Sequence, residues 1–401
     1  MHVNTLANEK QELSQQFYFF QVIFSITGII CWSYYVYLLI RASGNDYGAV
    51  FLNFGLVSIG QLLGFILSAI FLGRLGYLKV FRLHNLVMLV VTLLVLLTLP
   101  NILSVYLVFA VLRGFGYGFF WMANNVYTQR ETFGLQRGRL LSILNGTGVV
   151  LGIVLPVLAG AAIVSVGYSW IFIIAAAVYF VGIIYPWKYN KVPRDVFRPS
   201  EIRNFSQRRG FKRWSIFVIL YEVVTDQRVI VITILPFIFI GNEFDIGLLS
   251  SGLGLLAAVL IFLHRNDEIK RKIHYGYFGA FIVSSVTLVL TFVWNLPALI
   301  FRSIVANFGF GYYSPVESEL AYRVKESMLG DFNQESANEM QVYVESLYTI
   351  ARIFNLVLII VLLYVLRLNA MAVLQFLLLI GAVREIIFLM FNTRLLEKLK
   401  R

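Results

Sequence analysis

Glu222 and Asp226 stand four residues apart in a run whose neighbours are mostly apolar. On a helix, positions i and i+4 share one face, about one turn apart. Two carboxylates that close repel when both are ionised in a low-dielectric setting. Such a pair suits a step that loads a proton on one side of a barrier and unloads it on the other. The alternative is a static ion pair, with Arg228 or a neighbouring helix supplying the positive charge; residue types alone leave both open. Other ionisable groups lie in apolar surroundings further on: Arg302, Glu317, Glu345, Arg352, Arg384 and Glu385. Arg352 and Asn355 share a helical face. Arg384 and Glu385 are adjacent and so point about 100° apart, which obliges at least one of them to find a partner on another helix. Glu317 is either a second proton-responsive group or, with Glu319, a solvated residue at a cytoplasmic mouth.

The first half of the chain has a single deep charge, Arg113, with Gln61, Asn124, Asn125 and Asn145 as uncharged polar companions. A guanidinium facing a cavity favours an anionic or hydroxyl-rich ligand. The competing reading ties it to a carbonyl or carboxylate elsewhere in the protein. Of the abundant aromatics, Tyr34, Tyr35, Trp121, Tyr312 and Tyr313 occupy places where stacking on a ring, sugar or lipid chain is worth proposing, and Asn307 adds an amide. Most of the others should pack or face lipid.

Catalytic constellations are not apparent. His2, His84, His264 and His274 are scattered, are expected near the cytoplasmic face, and have no zinc-ligand spacing. There is no G-x-S-x-G, no phosphate-cradling loop and no Cys–His pairing. No enzyme activity, cofactor or metal is expected, and ATP should not drive the chain directly. With the one cysteine, Cys31, there is no disulfide framework to read.

These polar groups must be held by elements that live in lipid. The chain is 59% hydrophobic and 13% charged, with mean hydropathy +0.79. A soluble domain cannot hide that much apolar surface. A helical crossing takes roughly 20 residues, which yields twelve expected spans. They cover residues 17–41, 47–73, 83–100, 102–127, 139–164, 168–186, 213–240, 245–264, 274–294, 296–320, 341–366 and 369–392. The polar N-terminus lacks the pattern of a cleaved signal peptide, so the first span is expected to stay. The long basic segment 187–213 separates a bundle over 1–186 from one over 214–401. With the N-terminus inside, 26 of the 33 lysines and arginines fall in cytoplasmic segments, and only Arg41 and Arg367 fall outside. That asymmetry places both termini in the cytoplasm. It also accounts for the net charge of +12 without nucleic acid; a lipid or partner site on the basic linker is the alternative. The acidic loop Lys325–Glu339 reads as a short surface helix without an assigned role.

The chain also repeats itself. Phe115-Gly-Tyr-Gly-Phe-Phe-Trp121 is answered by Phe308-Gly-Phe-Gly-Tyr-Tyr-Ser314 at an offset of 193 residues, near half of 401. In this register Glu317 corresponds to Asn124. Internal repeats of this size are common in transporters, with the substrate site where the copies meet.

Twelve spans in two halves with a basic linker resemble the major facilitator superfamily (MFS). Loop 2–3, Gly73-Arg-Leu-Gly-Tyr-Leu-Lys79, is similar to that family's G-x-x-x-D-R-x-G-R-K motif. Arg74 and Gly76 match it; Gly73 stands at the acidic position and Tyr77 at the second arginine. In the family the acid helps latch helices during switching, so any latch here must be built differently. Arg113-Gly-Phe-Gly-Tyr-Gly, a phrase that includes Gly116, is similar to the helix-4 R-x-x-x-G motif. Gly148, Gly152, Pro156 and Gly160 resemble the glycine–proline motif of helix 5, where small residues permit close helix approach and proline permits a bend.

The resemblance implies an all-α, twelve-helix polytopic membrane protein in two six-helix bundles, its cavity lined by helices 1, 4, 7 and 10. It implies a secondary active transporter moving a small organic solute by alternating access, with proton-coupled export as the first expectation. Substrate-binding residues would be Tyr34, Tyr35, Arg113, Trp121, Asn124, Asn307, Tyr312 and Tyr313. Glu222, Asp226 and Glu317 would couple protons, and Arg228, Arg302, Arg352, Arg384 and Glu385 would pair charge. Helix 1 lacks the carboxylate often found in proton-driven multidrug exporters of the superfamily, which counts against that subclass. Two other readings stay open. One is a flippase for a lipid or lipid-linked sugar; the other is a non-transporting scaffold or sensor, for which the altered loop 2–3 is the main argument. Expected partners are a small-molecule or amphipathic substrate, protons and the lipid bilayer, with no nucleic acid; a monomer in the plasma (inner) membrane is expected. The charge asymmetry has a direct check: epitope tags at both ends should resist protease added outside intact cells and be cut once the cells are opened.

Overall fold

The computed structural model describes the backbone of the chain apart from residues 1, 45, 132–133, 186–189, 193–196, 208–210, 264–268, 330–336 and 400–401. Within those bounds the chain is helical, and the described residues include no strand. α1 (His2–Thr27) passes through a π-helical turn, Gly28–Trp32, into α2 (Ser33–Ala42). α3 (Tyr47–Thr98), α4 (Ile102–Glu131), α5 (Gly134–Val166), α6 (Ser169–Ile184) and the short α7 (Pro199–Gln207) follow. Then come α8 (Phe211–Ile240), α9 (Glu243–Leu263), α10 (Ile269–Phe292) and α11 (Leu296–Leu329). α12 (Ala337–Ile360) ends in a second π-helical turn, Val361–Val365, before α13 (Ala370–Gly381) and α14 (Arg384–Leu399). α11 thus takes in the start of the expected acidic loop and α12 its end; residues 330–336 between them lie outside the described residues.

Among the described residues, seven helical stretches are long and apolar enough to cross a membrane, and Ser169–Ile184 and Leu296–Phe310 are shorter apolar helices. One of the seven, Tyr47–Arg130, runs for 84 residues, far more than one crossing requires. It is broken at Gly76, which interrupts α3 at φ 81° and ψ 170°, and again at the 3-10 turn Leu99–Asn101. Asp46 starts α3 by accepting a hydrogen bond from the Gly48 N–H at 2.8 Å, as an N-cap should.

The chain groups into two compact units. The first comprises Met1–Leu151, Ala162–Phe205 and Gln334–Thr349; the second comprises Gly152–Ala161, Ser206–Asn333 and Ile350–Arg401. The grouping differs from a plain division at the basic linker, because short pieces of α5 and α12 fall with the unit opposite to the rest of their half.

In the first unit the glycine phrase of α4 is a backbone-to-backbone seam. A Cβ added at Gly60 would collide with the Val111 carbonyl oxygen, and one at Gly64 with that of Phe115. In return, a Cβ at Gly114 would collide with the Val57 carbonyl and one at Gly118 with that of Gln61. Interfaces in lipid gain their attraction from such close packing, because no hydrophobic drive separates helices from hydrocarbon. Gly116 faces the later part of α3, where a Cβ would lie 2.6 Å from the Met88 sulfur. Behind the seam lies an aromatic core. Phe24 stacks on Phe120 at 3.8 Å, Phe17 on Tyr127 at 4.1 Å and Phe20 on Phe81 at 4.8 Å. Val342 of α12 joins the same cluster.

The second unit has a glycine contact of its own. Gly309, the counterpart of Gly116, packs against Gly279 and Val283 of α10, and a Cβ at Gly279 would collide with the Gly309 carbonyl oxygen. The echo pairs Gly309 with Gly116, which faces the later part of α3; the positions that answer Gly114 and Gly118 are Asn307 and Gly311. The helix-5 glycines fit their expected role less uniformly. A Cβ at Gly160 would collide with the Glu243 carbonyl, but at Gly148 and Gly152 it would meet nothing within 4 Å. Those two positions are not held small by packing of their own Cα, although Gly254 approaches the Gly152 carbonyl, 3.2 Å from a Cβ built there. Pro156 is buried inside α5.

Loop 2–3 is secured by the segment after α6. Asn190 donates through Nδ2 to the Leu75 carbonyl at 2.7 Å and accepts from the Leu78 N–H at 3.2 Å. The Tyr77 N–H donates to the Lys191 carbonyl at 3.2 Å. Gly76 is essential twice over, by its positive φ and because a Cβ would sit 2.6 Å from Asn190 Oδ1. Arg74, the other motif match, is exposed. Asn190→Ala should lower stability by about 1–2 kcal/mol, read as a fall in Tm of the detergent-solubilised protein, with Gly76→Ala at least as damaging; an unchanged Tm in both would contradict the clasp.

Candidate functional site

Two polar clusters are buried, one in each unit. In the first, the widened turn Gly28–Trp32 carries Trp32 and leads into Tyr35. The turn is marked by Ser33 Oγ donating to the Gly28 carbonyl five residues back at 3.1 Å. π-helical turns of this kind recur at functional sites. The Arg113 guanidinium carbon lies 5.1 Å from the Trp32 ring centre, 5.2 Å from Tyr35 and 5.9 Å from Tyr117. Cation–π contacts of this geometry are favourable, more so when desolvated. They do not cancel the charge. Arg113 is 5% exposed, its Nε has no hydrogen-bond partner, and among the described residues it forms no ion pair. Trp32 is fixed in turn by donating Nε1–H to the Tyr179 hydroxyl at 2.9 Å. His84, expected near the cytoplasmic face, is buried, with Nδ1 2.8 Å from the Gly116 carbonyl oxygen.

Of the other residues expected to bind substrate in this unit, Tyr35 belongs to the cage. Tyr34 is buried edge-to-face on Tyr37 at 5.7 Å. Trp121 is 36% exposed and stands edge-on to Phe24 and Phe120. Asn124 accepts a hydrogen bond from Gln21 and donates to Asn125, away from the cage. The side chain of Asn145 lies outside the described residues. Trp32 and Tyr117 were missed, although a signal was present: Tyr117 is four residues from Arg113 on one helix, and Trp32 is three from Tyr35.

The second cluster joins α8, α11, α12 and α14. Glu222 and Asp226 do share a face of α8, and both meet α12. Arg352 grips Glu222 through Nε at 2.8 Å and Nη2 at 2.7 Å. Asp226 receives a different partner, the Asn355 amide at 3.2 Å, which also donates to the Val223 carbonyl at 2.9 Å. Arg384 is the hub of the rest. It donates to Glu317 at 2.5 Å, to Thr225 at 2.8 Å and to its neighbour Glu385 at 3.3 Å. Tyr221 donates to the same Glu317 oxygen, and its ring lies 4.9 Å from the Arg384 guanidinium. Tyr313, expected to stack on substrate, stands over Arg384 at 5.9 Å instead.

The remaining expectations divide. Tyr312 packs among Tyr275, Phe278 and Phe308. Asn307 donates to the Ser303 carbonyl of its own helix at 2.8 Å. Arg302 corrects the charge-pairing expectation: it is buried, and among the described residues it has no acidic partner. The Arg228 side chain lies outside the described residues. Glu345 accepts from Gln61 at 2.9 Å within the first unit, which also holds Gln341 donating to Gln129 at 2.8 Å. No group of three or more metal-ligating side chains occurs among the described residues.

Long apolar helices, backbone seams and buried charge describe a multi-pass membrane protein of a transporter fold, and the comparisons agree. The family description "Major Facilitator Superfamily" matches residues 18–328. The chain belongs to that superfamily, and by family it is a membrane transporter rather than an enzyme. A crystal structure of the human organic anion transporter MFSD10 (TETRAN) superposes with a TM-score of 0.66 at 12% identity, covering 96% of this chain and 99% of that one. At that identity the likeness is one of fold. No curated protein sequence matches.

Removing Glu222 takes from the partly buried Arg352 the carboxylate that it grips through two nitrogens. Glu222→Gln should therefore cost about 3 kcal/mol, visible as a lowered Tm, and Glu222→Gln combined with Arg352→Met should recover most of it; a double variant no more stable than the single would contradict a structural pair.

Proposed function

We propose that the chain is a secondary active transporter that binds a small organic anion at Arg113 and presents it alternately to the two sides of the membrane. The observation that carries this is the state of Arg113: buried, framed by three aromatic rings, and without an acidic partner among the described residues. Arg352 and Arg384, by contrast, are each answered by carboxylates. A guanidinium kept in an apolar site without a counter-ion is costly for the empty protein and favourable for an anion that supplies the missing charge. The rings add flat apolar surface beside it, which fits an anion with an organic body better than a bare inorganic one.

Proton coupling forms the second part of the proposal, and it centres on Asp226. Glu222 is matched to Arg352, whereas Asp226 is held by an amide, which orients a carboxylate without neutralising it. A carboxylate one turn from another acid is the group whose charge most readily changes with the local field. Glu317, tied to Arg384 and Tyr221, serves as a relay between Asp226's helix and α14 rather than as the site of loading. In keeping with the charge distribution of the sequence, we further propose twelve crossings in two six-helix halves, both termini cytoplasmic, and a place in the plasma membrane. Export is the proposed direction.

Purified protein in liposomes tests the reading. A panel of small organic anions should include one that shows uptake and counterflow. Arg113→Gln should reduce its apparent affinity at least tenfold, the equivalent of about 1.4 kcal/mol. Asp226→Asn should abolish accumulation driven by a proton gradient while sparing counterflow. A panel without uptake or counterflow defeats the transporter reading; gradient-driven accumulation that survives in Asp226→Asn defeats the coupling.

A further inference from the structure

The α10–α11 hairpin carries a second buried arginine whose surroundings are unlike those of Arg113. Arg302 is 4% exposed, and both its Nε and Nη2 lack hydrogen-bond partners. Residues 302, 306, 309, 313 and 316 follow the spacing of one helical face. Gly309 and Val316 of that face touch α10 at Val283 and Gly276, and Ala306 clusters with Val283 and Val286. Arg302 therefore lies on the seam between the two helices. The antiparallel register of those contacts (276 with 316, 279 with 313, 283 with 309) sets Leu290 opposite it, with Thr287 one turn away on α10.

Thr287 is fully buried and its Oγ1 has no partner; Ser284, one turn away and 7% exposed, is in the same condition. The turn that joins the helices adds Trp294, whose Nε1–H is buried and unpartnered while its ring packs edge-on to Phe239. Each of these groups can donate a hydrogen bond. None is an obligate acceptor. Between Glu268 and Glu317 the sequence contains no acidic residue. The first turns of α11, capped by Asn295 accepting from the Ala298 N–H at 2.9 Å, add the positive end of a helix dipole on the same side.

A lone guanidinium in hydrocarbon is costly, and unmet donors add to that. What the hairpin lacks is one acceptor with negative charge. The tight seam, with glycine contacts directly below, excludes an organic body and admits at most a small ion. We propose that the α10–α11 hairpin binds a small anion of halide size at Arg302, with Thr287 and Ser284 as hydroxyl donors. The site belongs to the second unit and is separate from the Arg113 cage. It acts as a structural counter-ion site, holding the hairpin together while substrate comes and goes elsewhere. This inference does not depend on the proposed substrate.

The experiment is thermal unfolding of the purified full-length protein at fixed ionic strength, titrating chloride against gluconate, with a parallel acetate series. Wild type should show a saturable rise in Tm with chloride. Arg302→Gln should lose that response and, in gluconate, be at least as stable as wild type, because an unanswered charge has been removed. Arg113→Gln should respond as wild type does. Thr287→Val, which keeps shape and folding, should raise the half-saturating chloride concentration about fivefold. Equal Tm in chloride and gluconate overturns the proposal, as does a chloride response retained in Arg302→Gln or lost in Arg113→Gln. Stronger stabilisation by acetate than by chloride overturns the halide assignment. Should Arg302→Gln not fold, an unchanged half-saturation in Thr287→Val is sufficient to reject the site.

Discussion

A charge inside hydrocarbon must be answered within a few ångströms, and much of this protein is arranged around how that demand is met. The answer differs from one arginine to the next. Arg352 is met by Glu222 across two helices, and Arg384 by Glu317, Glu385 and a threonine hydroxyl. Arg113 has only the faces of aromatic rings. The cations that are fully matched sit where they tie helices together. Arg113 is matched only by quadrupoles, and Arg302 has no acidic partner among the described residues.

The helices reach these positions because their backbones come close. Gly60, Gly64, Gly114 and Gly118 interlock between α3 and α4, and Gly279 and Gly309 do the same between α10 and α11. Tight seams make the helix pairs rigid, and rigid pairs hold long side chains such as Arg113 in one place. The widened turn at Gly28–Trp32 provides the complementary freedom, since it sets the phase of Trp32 and Tyr35 relative to the rest of their span.

How much of this was legible beforehand varied with the kind of information each residue carries. The common face of Glu222 and Asp226 followed from spacing alone, and the 193-residue echo paired Gly116 with Gly309, but which backbones would touch did not follow from it. Partners supplied by distant segments were not legible. Nothing near Gly76 points to Asn190 as its clasp, and nothing near Glu222 distinguishes Arg352 from Arg228. Tyr313 looked like a stacking platform because it sits in a polar aromatic phrase, yet its ring covers Arg384. Arg302 looked like half of an ion pair because buried arginines usually are; between Glu268 and Glu317 the hairpin contains no acid to complete it. In each case the face of a helix was readable and the neighbour was not, because the neighbour depends on which helix packs there.

The glycine seams also bear on how this sequence can drift. Where two side chains touch, a change in one can be absorbed by a change in the other, and related sequences record the exchange as paired variation. At Gly60, Gly64, Gly114 and Gly118 the touching atoms are main chain, identical whatever the residue. No compensating substitution exists, since nothing is smaller than glycine. The tightest contacts in the first unit are therefore expected to be silent in covariation among relatives, recorded as invariance at single columns rather than as linked pairs, while looser contacts around the aromatic core carry the pairwise signal.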